Sequence, residues 1–102
     1  MIKALLICNL GVSTKMLAET IKAAFKGSEE ALELIAEPRS SLEDLIGRVD
    51  LVLIAPQIAY LKDEIIDICN MNHKKYLVIP FEMYGIMDGK AVADLIHKAM
   101  TG

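Results

Sequence analysis

The sequence has few of the residues that support metal or disulfide chemistry. It contains two cysteines, Cys8 and Cys69, too few for a disulfide framework, and we expect both to be free thiols in a reducing compartment. The two histidines, His73 and His97, are far in sequence from both cysteines and from each other. Because no zinc-ligand spacing is present, we expect no metal and no cofactor.

Long apolar runs and clusters of basic residues are also missing. No apolar stretch approaches the ~18 residues that a membrane helix needs, and the N-terminus lacks the pattern of a signal peptide. The formal net charge is −3, and Lys74-Lys75 is the only basic cluster. We therefore expect a cytoplasmic protein that neither inserts into a membrane nor binds nucleic acid.

What is present is an apolar chain with enough length for one core. Its 102 residues are 54% hydrophobic and 25% charged, which excludes disorder and predicts a single domain over 1–102. Apolar runs alternate with helical patterns along it. The predicted strands are 1–7, 31–37, 49–55 and 76–79, and the predicted helices are 13–26, 42–47, 58–71 and a last one after residue 88.

Local signals mark the ends of these elements. Gly27 is expected to end the first helix, and Pro38 to end a second strand that lies at a sheet edge. Ser40 and Ser41, followed by acidic residues, predict a capping box. Residues 81–87 are expected to be a connection, and Asp88 to cap the last helix. The resulting β-α-β-α-β-α-β-α order predicts an α/β fold with a parallel sheet covered by helices on both faces.

In such a sheet, ligands bind beyond the carboxyl ends of the strands. Three segments fall there: Cys8, Pro56-Gln57 and 81–87. We expect their loops to meet at one edge, with Cys8 among them.

Residues 5–15 form a strand, a loop and a helix start, an arrangement that aims backbone N–H groups at one point. A cysteine in such a place can have its thiol pKa lowered and act as a nucleophile. The alternative is that Cys8 is a small buried residue. The loop residues Gly11, Ser13 and Thr14 favour the reactive interpretation. Cys69 lies on an apolar helical face, where we expect an inert core thiol.

The loop lacks the parts of a cysteine phosphatase. Counting from Cys8, Thr14 stands where the pattern Cys-x5-Arg has the arginine that clamps a phosphoryl group. No Asp-Pro dipeptide is present to supply the general acid. A site that can hold a phosphoryl group on sulfur, but is poorly equipped to hydrolyse it, favours a carrier.

Three segments carry a resemblance: Cys-Asn-Leu-Gly-Val-Ser-Thr at 8–14, Ala-Pro-Gln-Ile-Ala-Tyr at 55–60 and Tyr-Gly-Ile-Met-Asp-Gly at 84–89. The chain resembles, over essentially its whole length, enzyme IIB of the lactose/cellobiose (N,N′-diacetylchitobiose) branch of the sugar phosphotransferase system. The resemblance implies a four-stranded parallel sheet with flavodoxin-like, Rossmann-like winding. It also implies a cytoplasmic phosphotransferase component, which takes a phosphoryl group from a phosphohistidine of enzyme IIA and passes it to a sugar bound by the membrane enzyme IIC. The implied sugar is a β-linked disaccharide such as cellobiose, chitobiose or lactose.

Carried over by position, the resemblance makes Cys8 the phosphorylated residue. The backbone amides from Asn9 to Thr14, together with two hydroxyls, would cradle the phosphoryl oxygens. The residues of this cradle are Asn9, Leu10, Gly11, Val12, Ser13 and Thr14. The loop departs from the family's frequent Gly-Met-Ser-Thr-Ser, with Val12 for the methionine and Lys15 for the last serine. Asn9 and Leu10 are also bulkier than usual, which leaves partner choice open.

Four further residues are candidates for the rim of the site or for docking: Lys15, Gln57, Tyr60 and Tyr84. Three of them have an ordinary alternative: a solvated lysine for Lys15, a helix cap for Gln57 and core packing for Tyr84. Other polar residues are expected to be solvated rather than catalytic: His73, His97, Asp63, Glu64 and Asp67.

Two other functions stay open from the sequence. One is a small cysteine-dependent phosphatase or an arsenate-reductase-like enzyme that uses the same thiolate. The other is a regulatory domain that responds to its own phosphorylation.

Overall fold

Four parallel strands form one sheet in the computed structural model, which describes residues 1–9 and 11–101, without the side chains of Val12 and Ser13. The strands are β1 (Ile2–Ile7), β2 (Leu32–Glu37), β3 (Leu51–Ile54) and β4 (Lys75–Val78), in the spatial order β2-β1-β3-β4. In register, Ile2 pairs with Leu32, Ala4 with Leu51, and Leu51 with Lys75. The predicted four-stranded parallel α/β sheet is confirmed.

The sequence of each strand explains its place in the sheet. All four residues of β3 are buried, as is every residue of β1 except Lys3, because a central parallel strand is covered on both faces. The outer strands are less apolar: β2 buries only Leu34 fully, and β4 is partly exposed throughout. The prediction that the second strand lies at an edge is therefore confirmed.

Helices cover both faces of the sheet. They are α1 (Val12–Ala24), α2 (Leu42–Leu45), α3 (Lys62–Met71), α4 (Phe81–Gly85) and α5 (Gly89–Thr101). The chain runs from β1 outward to β2, and then back across β1 to β3 and β4. With right-handed crossovers, α1 therefore lies on one face and α2 and α3 on the other. The last helix, α5, packs against α1.

Two helix starts differ from the prediction. Ser41 does not cap α2: its backbone is already helical (φ −92°, ψ −6°), whereas a capping residue is normally extended, and its hydroxyl donates to Glu37 Oε1 at 3.3 Å instead. The predicted helix over 58–71 begins as a 3₁₀ turn, Pro56–Leu61, with Ile58 at non-helical angles (φ −111°, ψ 21°). The α-helical part starts only at Lys62.

The predicted connection at 81–87 is wrong, because most of it is the helix α4. Pro80 is extended (φ −60°, ψ 139°), and its carbonyl accepts the N–H groups of Met83 and Tyr84, so the chain turns helical directly after it. Asp88 caps α5 as predicted, with Oδ1 accepting the Ala91 N–H at 3.0 Å. Gly27 is left-handed (φ 82°) beyond the end of α1.

Among the described residues, no helix has the length and apolar character needed to cross a membrane.

Candidate functional site

The carboxyl ends of the strands meet along one edge of the sheet, and Cys8 lies on it. The ladder continues one residue beyond β1, β3 and β4: the Cys8 N–H donates to Glu37 O at 3.1 Å, and the Ala55 N–H donates to Ile7 O at 3.0 Å. The Ile79 N–H donates to Ile54 O at 2.9 Å. The residues that follow turn away from the sheet. The predicted meeting of the three loops is confirmed.

The Cys8 side chain is buried at this edge, with 2% of its surface exposed. Its Sγ lies 3.9 Å from the Glu37 carbonyl oxygen, within the reach of a weak S–H···O hydrogen bond. One carbonyl therefore accepts from both the N–H and the thiol of Cys8.

The segment that follows Cys8 leads into the N-terminus of α1. Gly11 is extended (φ −74°, ψ 165°), and its carbonyl accepts the N–H groups of Thr14 at 3.1 Å and Lys15 at 3.3 Å. Among the side chains that the structure describes, none caps this helix start. The first amides of a helix have no partners within the helix and carry the positive end of its dipole, so they can serve an anion. Leu10, another predicted cradle residue, and the side chains of Val12 and Ser13 lie outside the described residues.

Gly11 itself is not required by the packing of the protein. Its φ is negative, and an added Cβ would meet nothing within 4 Å. A larger residue is therefore compatible with the unliganded fold at this position.

Thr14 and Tyr84 form a buried hydroxyl pair. Thr14 Oγ1 and Tyr84 Oη are 2.9 Å apart, although the residues are 70 positions apart in sequence. Thr14 is 2% exposed and Tyr84 is 7% exposed. The pair joins the first turn of α1 to α4. The expectation that Tyr84 contributes to an exposed docking rim is wrong, because α4 carries its ring inward, and the packing alternative holds.

The other candidate residues lie on the surface. Asn9, Gln57 and Tyr60 are exposed, Tyr60 to 81%. Lys15 is also exposed and lines a groove of about 330 Å³ between α1 and β2. Glu37, whose carbonyl contacts the thiol, lines the same groove.

Two exposed apolar side chains follow β4: Phe81 is 70% exposed and Ile86 is 75% exposed. Both belong to the segment around α4, for which a loop was expected, so their orientation depends on a helix that the sequence did not predict.

Arg39 is the charged residue that sequence reasoning missed. It follows β2, and its Nη1 and Nη2 donate to the two carboxylate oxygens of Glu43 at 2.7 and 3.0 Å, while its Nε donates to Glu64 Oε1 at 2.9 Å. The hydrogen bond from Arg39 lowers the pKa of Glu43, and the bond to Glu43 raises the pKa of Arg39. Glu64 is thus ion-paired as well as solvated. The i,i+4 spacing of Arg39 and Glu43 was the available signal.

The remaining cysteine and histidines have structural positions. Cys69 is fully buried, and burial raises the pKa of its thiol, which confirms the expectation of a core residue. His73 is exposed. His97 is not simply solvated as predicted: it stacks on Phe25 with ring centroids 4.5 Å apart and is half-buried. Within the described part of the chain, no three His, Cys, Asp or Glu side chains are grouped to hold a metal ion.

The sequence is similar to those of components of sugar phosphotransferase systems. The model of the family described as "PTS system, Lactose/Cellobiose specific IIB subunit" matches residues 3–95. The chain is 32% identical over 88 residues to the oligo-beta-mannoside-specific EIIB component of Bacillus subtilis (strain 168), covering 86% of this chain and 85% of that one. It is 25% identical over 101 residues to the cellobiose-specific EIIB component of Lactococcus lactis subsp. lactis (strain IL1403), covering 94% of each.

Solved structures show the same fold. The lactose-specific IIB component domain from Streptococcus pneumoniae superposes with a TM-score of 0.84 over 96% of both chains, at 16% identity, a level that speaks for the fold alone. The cellobiose-specific IIB component protein from Borrelia burgdorferi superposes with a TM-score of 0.79 at 30% identity, over 96% of this chain and 90% of that one.

Proposed function

This chain belongs to the lactose/cellobiose-specific IIB family of the sugar phosphotransferase system, a phosphotransferase component, and from this premise we propose that it carries a phosphoryl group on Cys8. The observation that supports this most directly is the position of Cys8. It is the cysteine at the carboxyl edge of the sheet, four residues before an α-helix whose start is capped by none of the described side chains. Cys69 is buried within α3 and offers no comparable surroundings.

The proposed reaction has two transfers that conserve the phosphoryl group. In the first, the sulfur of Cys8 attacks a phosphohistidine of enzyme IIA: the P–N bond breaks, an S–P bond forms, and the thiol proton passes to the imidazole nitrogen that leaves. In the second, a hydroxyl of the sugar held by the membrane enzyme IIC attacks the phosphorus. The S–P bond then breaks, an O–P bond forms, and the sulfur regains a proton. The chain acts at the cytoplasmic side of that permease.

The start of α1 supplies the electrostatics of both transfers. A phosphoryl group on sulfur carries about two negative charges, which main-chain N–H groups and the helix dipole stabilise without a cationic side chain. In the proposal the N–H groups of 9–13 fill this role, because the Thr14 N–H already donates to Gly11 O. Thr14 contributes its hydroxyl from below the loop, where it is buried.

Several features favour a carrier over a hydrolase. In the position of the phosphatase arginine stands Thr14, which is bonded to Tyr84. Arg39, which follows β2 at the same edge of the sheet, has its guanidinium hydrogen-bonded to Glu43 and Glu64. A phosphoryl group held by amides and a threonine hydroxyl, without a clamping arginine or an Asp-Pro general acid, keeps its S–P bond until an acceptor arrives.

The relatives also suggest the sugar. Their names specify oligo-β-mannosides and cellobiose, both β-linked. We therefore extend the proposal to a β-linked oligosaccharide, such as cellobiose, chitobiose or lactose, which the permease recognises and this chain only phosphorylates.

Intact-mass measurement tests the carrier step. The wild-type protein, incubated with histidine-phosphorylated enzyme IIA of a lactose/cellobiose-type system, should gain the mass of one phosphoryl group, mapped by peptide analysis to Cys8. Cys8→Ser should gain nothing, whereas the matched control Cys69→Ser should gain the same mass as wild type. An unmodified wild-type protein, or label on a histidine, refutes the proposal. Turnover of an aryl phosphate would instead support the phosphatase alternative.

A further inference from the structure

The hydroxyl pair of Thr14 and Tyr84 is unusual for its surroundings. Thr14 is the one polar residue buried among the described residues, apart from the phenol that it contacts. A hydroxyl buried away from water costs free energy unless it is hydrogen-bonded, so the pair satisfies both groups where neither alone would be satisfied. Their position, at the first turn of the helix that follows Cys8, connects them to the proposed phosphoryl site.

A count of protons shows why the direction of this bond matters. Each hydroxyl has one proton to donate and lone pairs to accept. The single bond between Thr14 and Tyr84 uses only one of the two protons. A phenol is a stronger acid than an aliphatic alcohol, so Tyr84 is the better donor and Thr14 the better acceptor. In this direction the Thr14 proton remains available for an acceptor other than Tyr84.

We propose that Tyr84 is a positioning residue for phosphoryl transfer, which donates to Thr14 Oγ1 and so directs the Thr14 hydroxyl proton towards the phosphoryl group on Cys8. The inference rests on the proposed function and adds a residue that acts without touching the phosphoryl group. Hydrogen bonds in series polarise one another, so a negative phosphoryl oxygen at one end strengthens both bonds of the chain. The gain is largest in the transition state, where charge on the transferring group is redistributed.

The contribution of Tyr84 is measured with Tyr84→Phe, which keeps the ring and removes only the hydroxyl. With histidine-phosphorylated enzyme IIA as donor, we expect kcat for phosphorylation of Cys8 to fall by about tenfold, the size of one hydrogen bond to a charged group, with the donor KM unchanged. In Thr14→Val, kcat should fall further than in Tyr84→Phe. In Thr14→Ser, which keeps a hydroxyl, most of the wild-type kcat should be retained. Tyr76→Phe, which removes a hydroxyl from the edge strand β4, should match wild type.

The double variant separates relay from simple packing. If Tyr84 acts only through Thr14, then Tyr84→Phe combined with Thr14→Val should be no slower than Thr14→Val alone. The inference is overturned if the fold-losses in kcat of the two single variants multiply in the double variant, or if Tyr84→Phe has the wild-type kcat. Either result leaves Cys8 as the phosphorylated residue. If wild type itself accepts no phosphoryl group, the proposed function and this inference fail together.

A measurement on the wild-type protein covers the case in which a variant does not fold. The Tyr84 hydroxyl proton is buried and should exchange slowly enough for detection by NMR. Its resonance should move downfield when Cys8 is phosphorylated, because the phosphoryl group strengthens the bond to Thr14. A resonance that stays in place in fully phosphorylated protein contradicts the relay.

Discussion

A close contact between two helices yields a sharp prediction about stability. Gly89, the first residue of α5, lies against the backbone of Thr20 in α1. A Cβ added to Gly89 would lie 2.4 Å from Thr20 C, 2.5 Å from Thr20 O and 2.6 Å from Thr20 Oγ1, whereas ordinary contact begins at 3.4 Å. The threonine hydroxyl is itself fixed, because it donates to Leu17 O at 2.8 Å. Gly89→Ala therefore forces α5 away from α1.

The magnitude follows from the distance. Relieving the overlap requires a shift of about 1 Å between two packed helices, and overpacking of this kind costs about 1–3 kcal/mol. Alanine recovers up to about 1 kcal/mol because it suits a helix better than glycine does. Because the obstacle is backbone rather than a flexible side chain, we expect a net loss of about 2 kcal/mol, which lowers the melting temperature of a chain of this size by about 10 °C.

Thermal and urea unfolding, followed by circular dichroism, measure this loss. Gly47→Ala is the matched control, because a Cβ there meets nothing within 4 Å and Gly47 itself is exposed, within the turn Ile46–Arg48. That change should be neutral or slightly stabilising. If Gly89→Ala unfolds at the wild-type midpoint, the contact between α5 and Thr20 is not as close as described, and the reasoning is refuted.

Three further outcomes follow from the site and its surroundings. Gly11→Ala should fold with at most about 1 kcal/mol of stability lost at the helix start. It should nevertheless accept phosphoryl groups at least about tenfold more slowly, because a methyl group would intrude where the amides meet the anion. Phosphorylation at the wild-type rate would contradict a cradle at this residue. Iodoacetamide should label native Cys8 before Cys69, because Cys8 lies at the edge of the sheet, whereas exposing Cys69 requires opening of a buried helix face; the reverse order in peptide mapping would contradict this. Arg39→Gln should flatten the acid side of the stability curve. Arg39 lowers the folded-state pKa of Glu43, so the pair stabilises the fold above the unfolded-state pKa, and this stability is lost as pH falls through the folded-state pKa. Urea unfolding measured in parallel between about pH 6 and pH 3 gives the dependence of stability on pH. Equal dependence in variant and wild type would exclude the effect.

The sequence predicts those parts of the molecule that depend on short stretches of chain. The apolar run before Cys8 predicts a central strand, and the change from strand to helix after it places the cysteine at the carboxyl edge. Asp88 correctly predicts the start of α5, because capping depends only on residues within three positions of the cap. Even so, Pro56 and Pro80 led to wrong boundaries, because a proline permits a 3₁₀ turn or a new helix as readily as it ends an element.

The remaining features of the site depend on contacts between residues that are distant in sequence, and no local sequence pattern predicts such contacts. The partners Thr14 and Tyr84 are 70 positions apart, and Arg39 and Glu64 are 25 positions apart. Each pair meets only because separate helices pack at fixed places on the sheet. Tyr84 illustrates the difficulty: an aromatic residue in a supposed loop predicts exposure, but in a helix that packs inward the same residue supplies a buried hydroxyl.

If Cys8 carries a phosphoryl group as proposed, the contact between its thiol and the Glu37 carbonyl has a consequence for how partners distinguish an empty carrier from a loaded one. An empty Cys8 has a proton to donate to that oxygen. A sulfur that carries a phosphoryl group has none, and it turns its negative oxygens away from a carbonyl that repels them. Loading thus removes one bond at the end of β2 and leaves Glu37 O with only the Cys8 N–H. The two states of the carrier then differ in the backbone of a neighbouring strand, so that a donor or an acceptor can sense the cargo beyond the phosphoryl group itself.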